Sequence, residues 1–109
     1  MPDATLTPDS VPDHFGALSS DIVACVLLDS DGRFVAADEG HADSGEHIAE
    51  LGRELLERID APQVEVSTGT GVVYALQQGG WTLVAVTGRF ALSSLVFFDM
   101  RKTLEGMPA

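Results

Sequence analysis

His41, Asp43, Glu46, His47 and Glu50 form the one cluster of histidines and carboxylates in the chain. His47 and Glu50 stand one helical turn apart, a spacing from which two side chains can share a metal ion. No third ligand has a fixed spacing to them. Acids at a helix start are also favoured by the positive end of the helix dipole, so the cluster reads as a solvated loop and helix start. Thr68-Gly69-Thr70-Gly71 is glycine-rich but lacks the Lys and hydroxyl pair of a phosphate loop, and it reads as a turn between strands. Serine, histidine and acids all occur, yet neither a nucleophile elbow nor a paired base is visible. No catalytic residue, metal ligand or cofactor site is assigned, and no enzymatic activity is expected.

Cys25 is the single cysteine of the 109 residues, so no intramolecular disulfide or four-thiolate zinc site can form. Its neighbours Val23, Ala24, Val26 and Leu27 supply no cation to lower its pKa, and the expectation is a buried, unreactive thiol. The chain carries 17 acidic against 6 basic residues, net charge −11. That balance excludes a nucleic-acid or anionic-membrane surface, which needs clustered Lys and Arg. No apolar run reaches membrane-spanning length, and the N-terminus has neither a basic start nor an apolar core. A cytoplasmic location is expected.

The elements follow from periodicity. Residues 1–12 hold Pro2, Pro8 and Pro12 among small and acidic residues and read as a mobile tail before a domain at 13–107. Val11, Phe15 and Leu18 recur at helical spacing, with Pro12 fitting a first turn, so a short helix to about Ser19 is expected. Ile22 to Leu28 is apolar on both faces and reads as a central strand. Asp31-Gly32 turns it into a second strand, about Arg33 to Ala37.

Asp43, with Glu46 three residues on, has capping-box spacing. The helix it would open runs to about Ile59, with Leu51, Leu55, Leu56 and Ile59 at offsets of three, seven, eight and eleven from Ile48. Gly52 lies on the same stripe, where it costs about 1 kcal/mol relative to Ala; close approach of another helix or of the sheet would offset that, and tolerance of the glycine by chance is the alternative. Gln63 to Ser67, Val72 to Gln77 and Trp81 to Thr87 follow as strands joined by turns short enough for an antiparallel meander. Tyr74 and Trp81 fall on these strands and read as packing residues. Ala91 to Leu104 closes the chain as a helix whose apolar groups span more than one stripe, so it must lie in a groove or meet two surfaces. Phe97 and Phe98 point about 100° apart on it.

The order helix, two strands, helix, three strands, helix is most simply met by a five-stranded antiparallel sheet with helices on both faces, an α+β domain. Over roughly residues 14–107 the sequence resembles the Roadblock/dynein light chain family. The resemblance rests on the hairpin Val26-Leu27-Leu28-Asp29-Ser30-Asp31-Gly32, the amphipathic stretch Ile48 to Ile59, the strand Trp81-Thr82-Leu83-Val84-Ala85-Val86 and the closing helix from Ala91. It implies a Roadblock/profilin-like fold with a shortened first helix. It further implies a non-catalytic regulator or scaffold, of the kind seen in Mgl-type polarity systems, that binds a Ras-like small GTPase as a homodimer.

In such dimers the middle helices lie side by side and the third strands pair. Here that points to Ile48, Leu51, Gly52, Leu55, Val64 and Val66 as interface. Gln63 to Ser67 also reads as an unpaired edge that invites strand addition. Glu50 and Glu54, with Phe97 and Phe98 as the rival site, are the expected partner surface. The alternatives are a small-molecule sensor module of PAS or profilin-like shape, which needs a polar-lined internal cavity, and a structural subunit of a larger complex.

Overall fold

A computed structural model describes residues 7–18, 20–41, 43–58 and 61–107. The elements are α1 (Val11–Gly16), β1 (Ile22–Leu28), β2 (Phe34–Ala37), α2 (Gly45–Arg58), β3 (Gln63–Ser67), β4 (Val72–Gln78), β5 (Trp81–Thr87) and α3 (Ser93–Glu105). Every neighbouring pair in the sheet order β2-β1-β5-β4-β3 is antiparallel. The expected architecture and element order are therefore present, with β1 flanked on both sides and β2 and β3 as edges.

Strand alternation splits the core into two layers. On one face Cys25, Leu27, Tyr74, Leu76, Leu83 and Ala85 meet Val11 and Phe15 of α1 and Val96, Phe97, Met100 and Leu104 of α3. On the other, Ala24, Val26, Leu28, Val73, Ala75 and Val84 meet Ile48 and Ala49 of α2. Successive strand residues point to opposite sides, so one apolar strand feeds both layers.

The β1–β2 hairpin closes as its sequence demands. Gly32 adopts φ 80°, which a residue without Cβ takes without strain. The Asp29 carboxylate accepts the backbone N–H groups of Asp31 (2.9 Å) and Arg33 (3.0 Å). The Arg33 N–H is the main cause that holds the Asp29 carboxyl below its ordinary range. Arg53 of α2 donates to the Gly32 carbonyl at 2.7 Å and ties the turn to the helix.

Several boundaries differ from expectation. Pro8–Ser10 forms a 3-10 turn, and Val11 and Pro12 are buried, so the folded chain begins ahead of residue 13. α1 ends at Gly16; Ser19, its expected end, lies outside the described residues, as do residues 1–6. α2 opens at Gly45, with the Ile48 N–H bonded to the Ser44 carbonyl, so Asp43 stands one residue ahead of the cap position. Ile59, the expected end of α2, is likewise outside the described residues. β1 and β5 lose register between Ile22 and Ala24, which turns Val23 out to solvent.

Past Ala37 the ladder continues through a side chain. Asp38 donates its N–H to the Cys25 carbonyl (3.0 Å) and accepts the Cys25 N–H on Oδ1 (2.9 Å). Asp38 thereby supplies the acceptor that a strand carbonyl would otherwise give, at the point where the chain leaves the sheet. No helix among the described residues is long and apolar enough to cross a membrane.

Candidate functional site

The candidate surface is built by α2 and the edge strand β3. Gly52 faces inward: a Cβ there would stand 2.5 Å from Cγ2 of Val84 on β5, so its absence lets the helix settle on the sheet. Gly45 does the same at the other end of the helix, where a Cβ would meet the Phe34 ring at 2.7 Å. Of the two neighbours whose approach would offset the cost of Gly52, the structure places the sheet.

Seating α2 this way decides the fate of the expected interface residues. Ile48 and Gly52 are buried within the protomer and are unavailable to a partner, and Val64 is buried beside them. Leu51 remains 36% exposed, and Leu55 and Val66 are half-buried. Only these three of the six present apolar surface.

β3 is anchored from the opposite face. The Ser93 hydroxyl donates to Glu65 Oε2 at 2.6 Å and lies 3.1 Å from the buried Tyr74 hydroxyl. Arg101 donates to Gln63 Oε1 at 3.0 Å. α3 therefore fixes the side of β3 that carries Gln63 and Glu65, while Val64 and Val66 face the α2 side. The outer backbone edge of β3 has no strand beside it among the described residues.

Glu46, Glu50, Glu54 and Glu57 are exposed on α2, with Arg58 the exposed cation after Arg53 has turned toward Gly32. The two phenylalanines separate as their 100° offset requires. Phe97 is 7% exposed and stacks edge-on against Tyr74, ring centroids 5.2 Å apart. It belongs to the core and is not part of a partner surface. Phe98 is 51% exposed with the Lys102 ammonium 5.8 Å above its ring.

The histidine and carboxylate cluster does not converge. His41 Nδ1 pairs with Asp38 Oδ2 at 2.8 Å, away from His47 and Glu50 on the exposed helix. Among the described residues no group of three or more His, Cys, Asp and Glu is placed to hold a metal ion. Thr68–Gly71 turns its donors inward: the Thr70 and Gly71 N–H groups both go to Thr68 Oγ1 (3.3 and 3.0 Å), leaving no cradle for phosphate. Cys25 is fully buried, and burial, reinforced by the Asp38 and Asp13 charges, raises its thiol pKa well above the ordinary value.

Three features escaped the sequence reading: the Asp38 cap on β1, the Tyr74–Ser93–Glu65 chain, and an apolar groove between α1 and α3 lined by Phe15, Leu18, Ile22, Leu92, Leu95 and Val96. Only the groove left a signal, in the breadth of apolar positions along the closing helix.

Neither a family model nor any curated protein matches the sequence. Structures do match. The Roadblock/LC7 domain from Streptomyces avermitilis aligns over 94% of this chain and 93% of its own, with TM-score 0.77 and 20% identity. Myxococcus xanthus MglB aligns over 95% and 94%, with TM-score 0.65 and 14% identity. Schizosaccharomyces pombe profilin aligns over 91% and 94%, with TM-score 0.65 and 8% identity. At such identities the likeness speaks for the backbone, and it agrees with the element order, the sheet order and the placement of helices described above: the chain has the Roadblock/LC7 fold.

Proposed function

We propose that the protein is a non-catalytic, cytoplasmic regulator or scaffold that works as a homodimer and binds a Ras-like small GTPase. The observation that carries this reading is the adjacency of a free β3 edge to the half-exposed Leu51 and Leu55 of α2 and to Val66. Two such edges can satisfy each other about a two-fold axis, with the leucine flanks of the two helices closing over the junction. Ile48, Gly52 and Val64 support that surface from within. Likeness to a Roadblock/LC7 domain and to MglB favours the same reading.

The GTPase would meet the acidic outer side of α2, with Glu50 and Glu54 central. An acidic face speeds association with a basic patch and loses that advantage as salt screens it. The sensor alternative needs a polar-lined internal cavity, whereas the two buried layers are built almost wholly of apolar side chains.

The experiment is co-purification from the native cell, followed by kinetic binding of the captured GTPase in its GDP and GTP-analogue states. The expected results are a dimer by light scattering at micromolar concentration, an on-rate that falls with ionic strength, and weaker binding after Glu50→Lys with Glu54→Lys. Val66→Pro removes a backbone donor from β3 and should weaken the dimer. Absence of GTPase binding in both nucleotide states would replace the regulator with the structural-subunit reading.

A further inference from the structure

The face of the sheet away from α2 carries a second apolar surface. Leu18 at the end of α1 is 48% exposed, and Leu92 and Leu95 at the start of α3 are 64% and 51% exposed. Between them a cavity of about 40 Å³ reaches down to Phe15, Ile22 and Val96. That volume is on the scale of one aliphatic side chain. Phe98, three residues beyond Leu95, lies outside the groove, with the Lys102 ammonium 5.8 Å from its ring. Isolated exposed apolar residues need no explanation, but a contiguous set around a cavity marks a contact site.

The charged groups that line the groove are Asp21 and Asp99, both carboxylates. No cation lines it among the described residues. This restricts the occupant. A second copy seated here would bring the same carboxylate rim against the first. An anionic lipid surface would be repelled for the same reason. A segment with an apolar anchor and flanking Lys or Arg fits both features, because the anchor fills the cavity and the cations meet Asp99 on the rim.

We propose that the groove between α1 and α3 docks an amphipathic helical segment of another protein, apolar on one face and basic on its flanks. The site lies across the sheet from the surface assigned to the GTPase, so either reading can fail without the other. It would seat one leucine-like side chain in the cavity and lay the adjoining turn along Leu92 and Leu95, which stand three residues apart on α3.

The test uses a fluorescently labelled peptide of about 18 residues, five helical turns. It carries Leu at alternating three- and four-residue spacing and Lys on the flanks; a matched peptide has Glu for Lys. Fluorescence anisotropy with the full chain should show micromolar binding of the Lys peptide and at least about tenfold weaker binding of the Glu peptide.

Leu95→Asp should weaken the Lys peptide at least about tenfold, the loss expected of a central anchor. The sign decides the matter. That substitution adds a negative charge, so attraction to an acidic surface alone would strengthen binding. Asp99→Lys should narrow or invert the preference between the two peptides, and Glu50→Lys should leave it in place. Leu95 is half exposed, so the variant is expected to fold, and unchanged thermal melting confirms that arm.

Absence of Lys-peptide binding overturns the proposal, as does binding that Leu95→Asp leaves intact or strengthens. Self-association of the free chain abolished by Leu95→Asp would overturn it in favour of a second copy. Partition onto neutral phosphatidylcholine vesicles, lost in the same variant, would overturn it in favour of a bilayer.

Discussion

The two faces of the sheet are packed by opposite means. Against α1 and α3 the strands send large side chains: Leu27, Tyr74, Leu76 and Leu83, met by Phe15, Phe97, Met100 and Leu104. Against α2 they send mostly small ones, Ala24, Val26, Val73, Ala75 and Val84 beside Leu28, met by Ile48, Ala49 and the bare backbone of Gly45 and Gly52. Where strand residues are small the helix can lie close, and the glycines are what let it. Where they are large, bulk fills the layer beneath the helices, and a small cavity remains between α1 and α3. A glycine seat leaves no slack for added atoms, while a layer filled by large side chains depends on their bulk. The α1/α3 face should therefore suffer most from truncation and the α2 face from enlargement.

The largest expected effect tests the first half of that contrast. Phe97→Ala removes a buried ring and its edge-on contact with Tyr74, and should lower stability by about 3–5 kcal/mol. Phe98→Ala, one residue on and half exposed, should change it by no more than about 0.5 kcal/mol. Urea melts of the two variants measure the difference directly. Similar losses in both would mean that α3 is rotated from the orientation described.

Enlargement on the other face comes next. Gly52→Ala gains about 1 kcal/mol of helix propensity. The new methyl meets Val84, however, and overpacking typically costs about 1–3 kcal/mol, so a net loss of about 1 kcal/mol is expected. Pairing it with Val84→Ala should make the two changes non-additive, because the second removes the atoms that the first strikes. A stabilising Gly52→Ala would show that α2 has room to lift, and the contrast between faces would fall.

Much of this architecture was legible beforehand, and the contrast explains which parts. Hydrophobic period and turn chemistry place every strand within about one residue, because the Asp31-Gly32 and Gly79-Gly80 turns leave little freedom of register. Gly52 left a close approach and mere tolerance equally open, and the structure shows the approach, with a Cβ there 2.5 Å from Val84 Cγ2. What it approaches is a tertiary fact, and the sheet is the neighbour found here. Interface residues chosen by helical stripe therefore included Ile48 and Gly52, which the protomer buries for itself. Asp38 was unreadable for a different reason: a carboxylate standing in for a strand carbonyl leaves no periodic trace. The Tyr74–Ser93–Glu65 chain joins residues far apart in sequence, which no local pattern encodes.

Cys25 gives a smaller effect, confined to alkaline pH. Burial raises its folded-state pKa, so the unfolded thiol loses its proton first, from about pH 8.5 upward. Above that pH the unfolded chain binds fewer protons than the folded one, and stability falls by at most about 1.4 kcal/mol per pH unit until the folded thiol also ionises. Cys25→Ala should lose that component of the slope between pH 8.5 and 10 while being less stable at pH 7. Identical slopes in the two proteins, or rapid labelling of the native thiol, would place Cys25 nearer to solvent than the first layer of the core allows.

The smallest effect concerns the α3 face alone. Thr103 is 3% exposed, and its hydroxyl has no hydrogen-bond partner among the described residues. A buried polar atom without a partner costs about 1–3 kcal/mol of desolvation that nothing offsets. Thr103→Val exchanges the hydroxyl for a methyl of similar size, and both residues are β-branched with comparable helix propensity. The two groups are close in size, so the removal of the unpartnered hydroxyl should prevail. Stability should rise by up to about 1 kcal/mol, read as a higher urea midpoint at an unchanged slope. A loss of that size would mean that the hydroxyl donates to the helix carbonyl four residues earlier, as buried threonines in helices can. The α3 face would then be held by polar contacts as well as by bulk, and the contrast with the α2 face would be one of chemistry as much as of side-chain size.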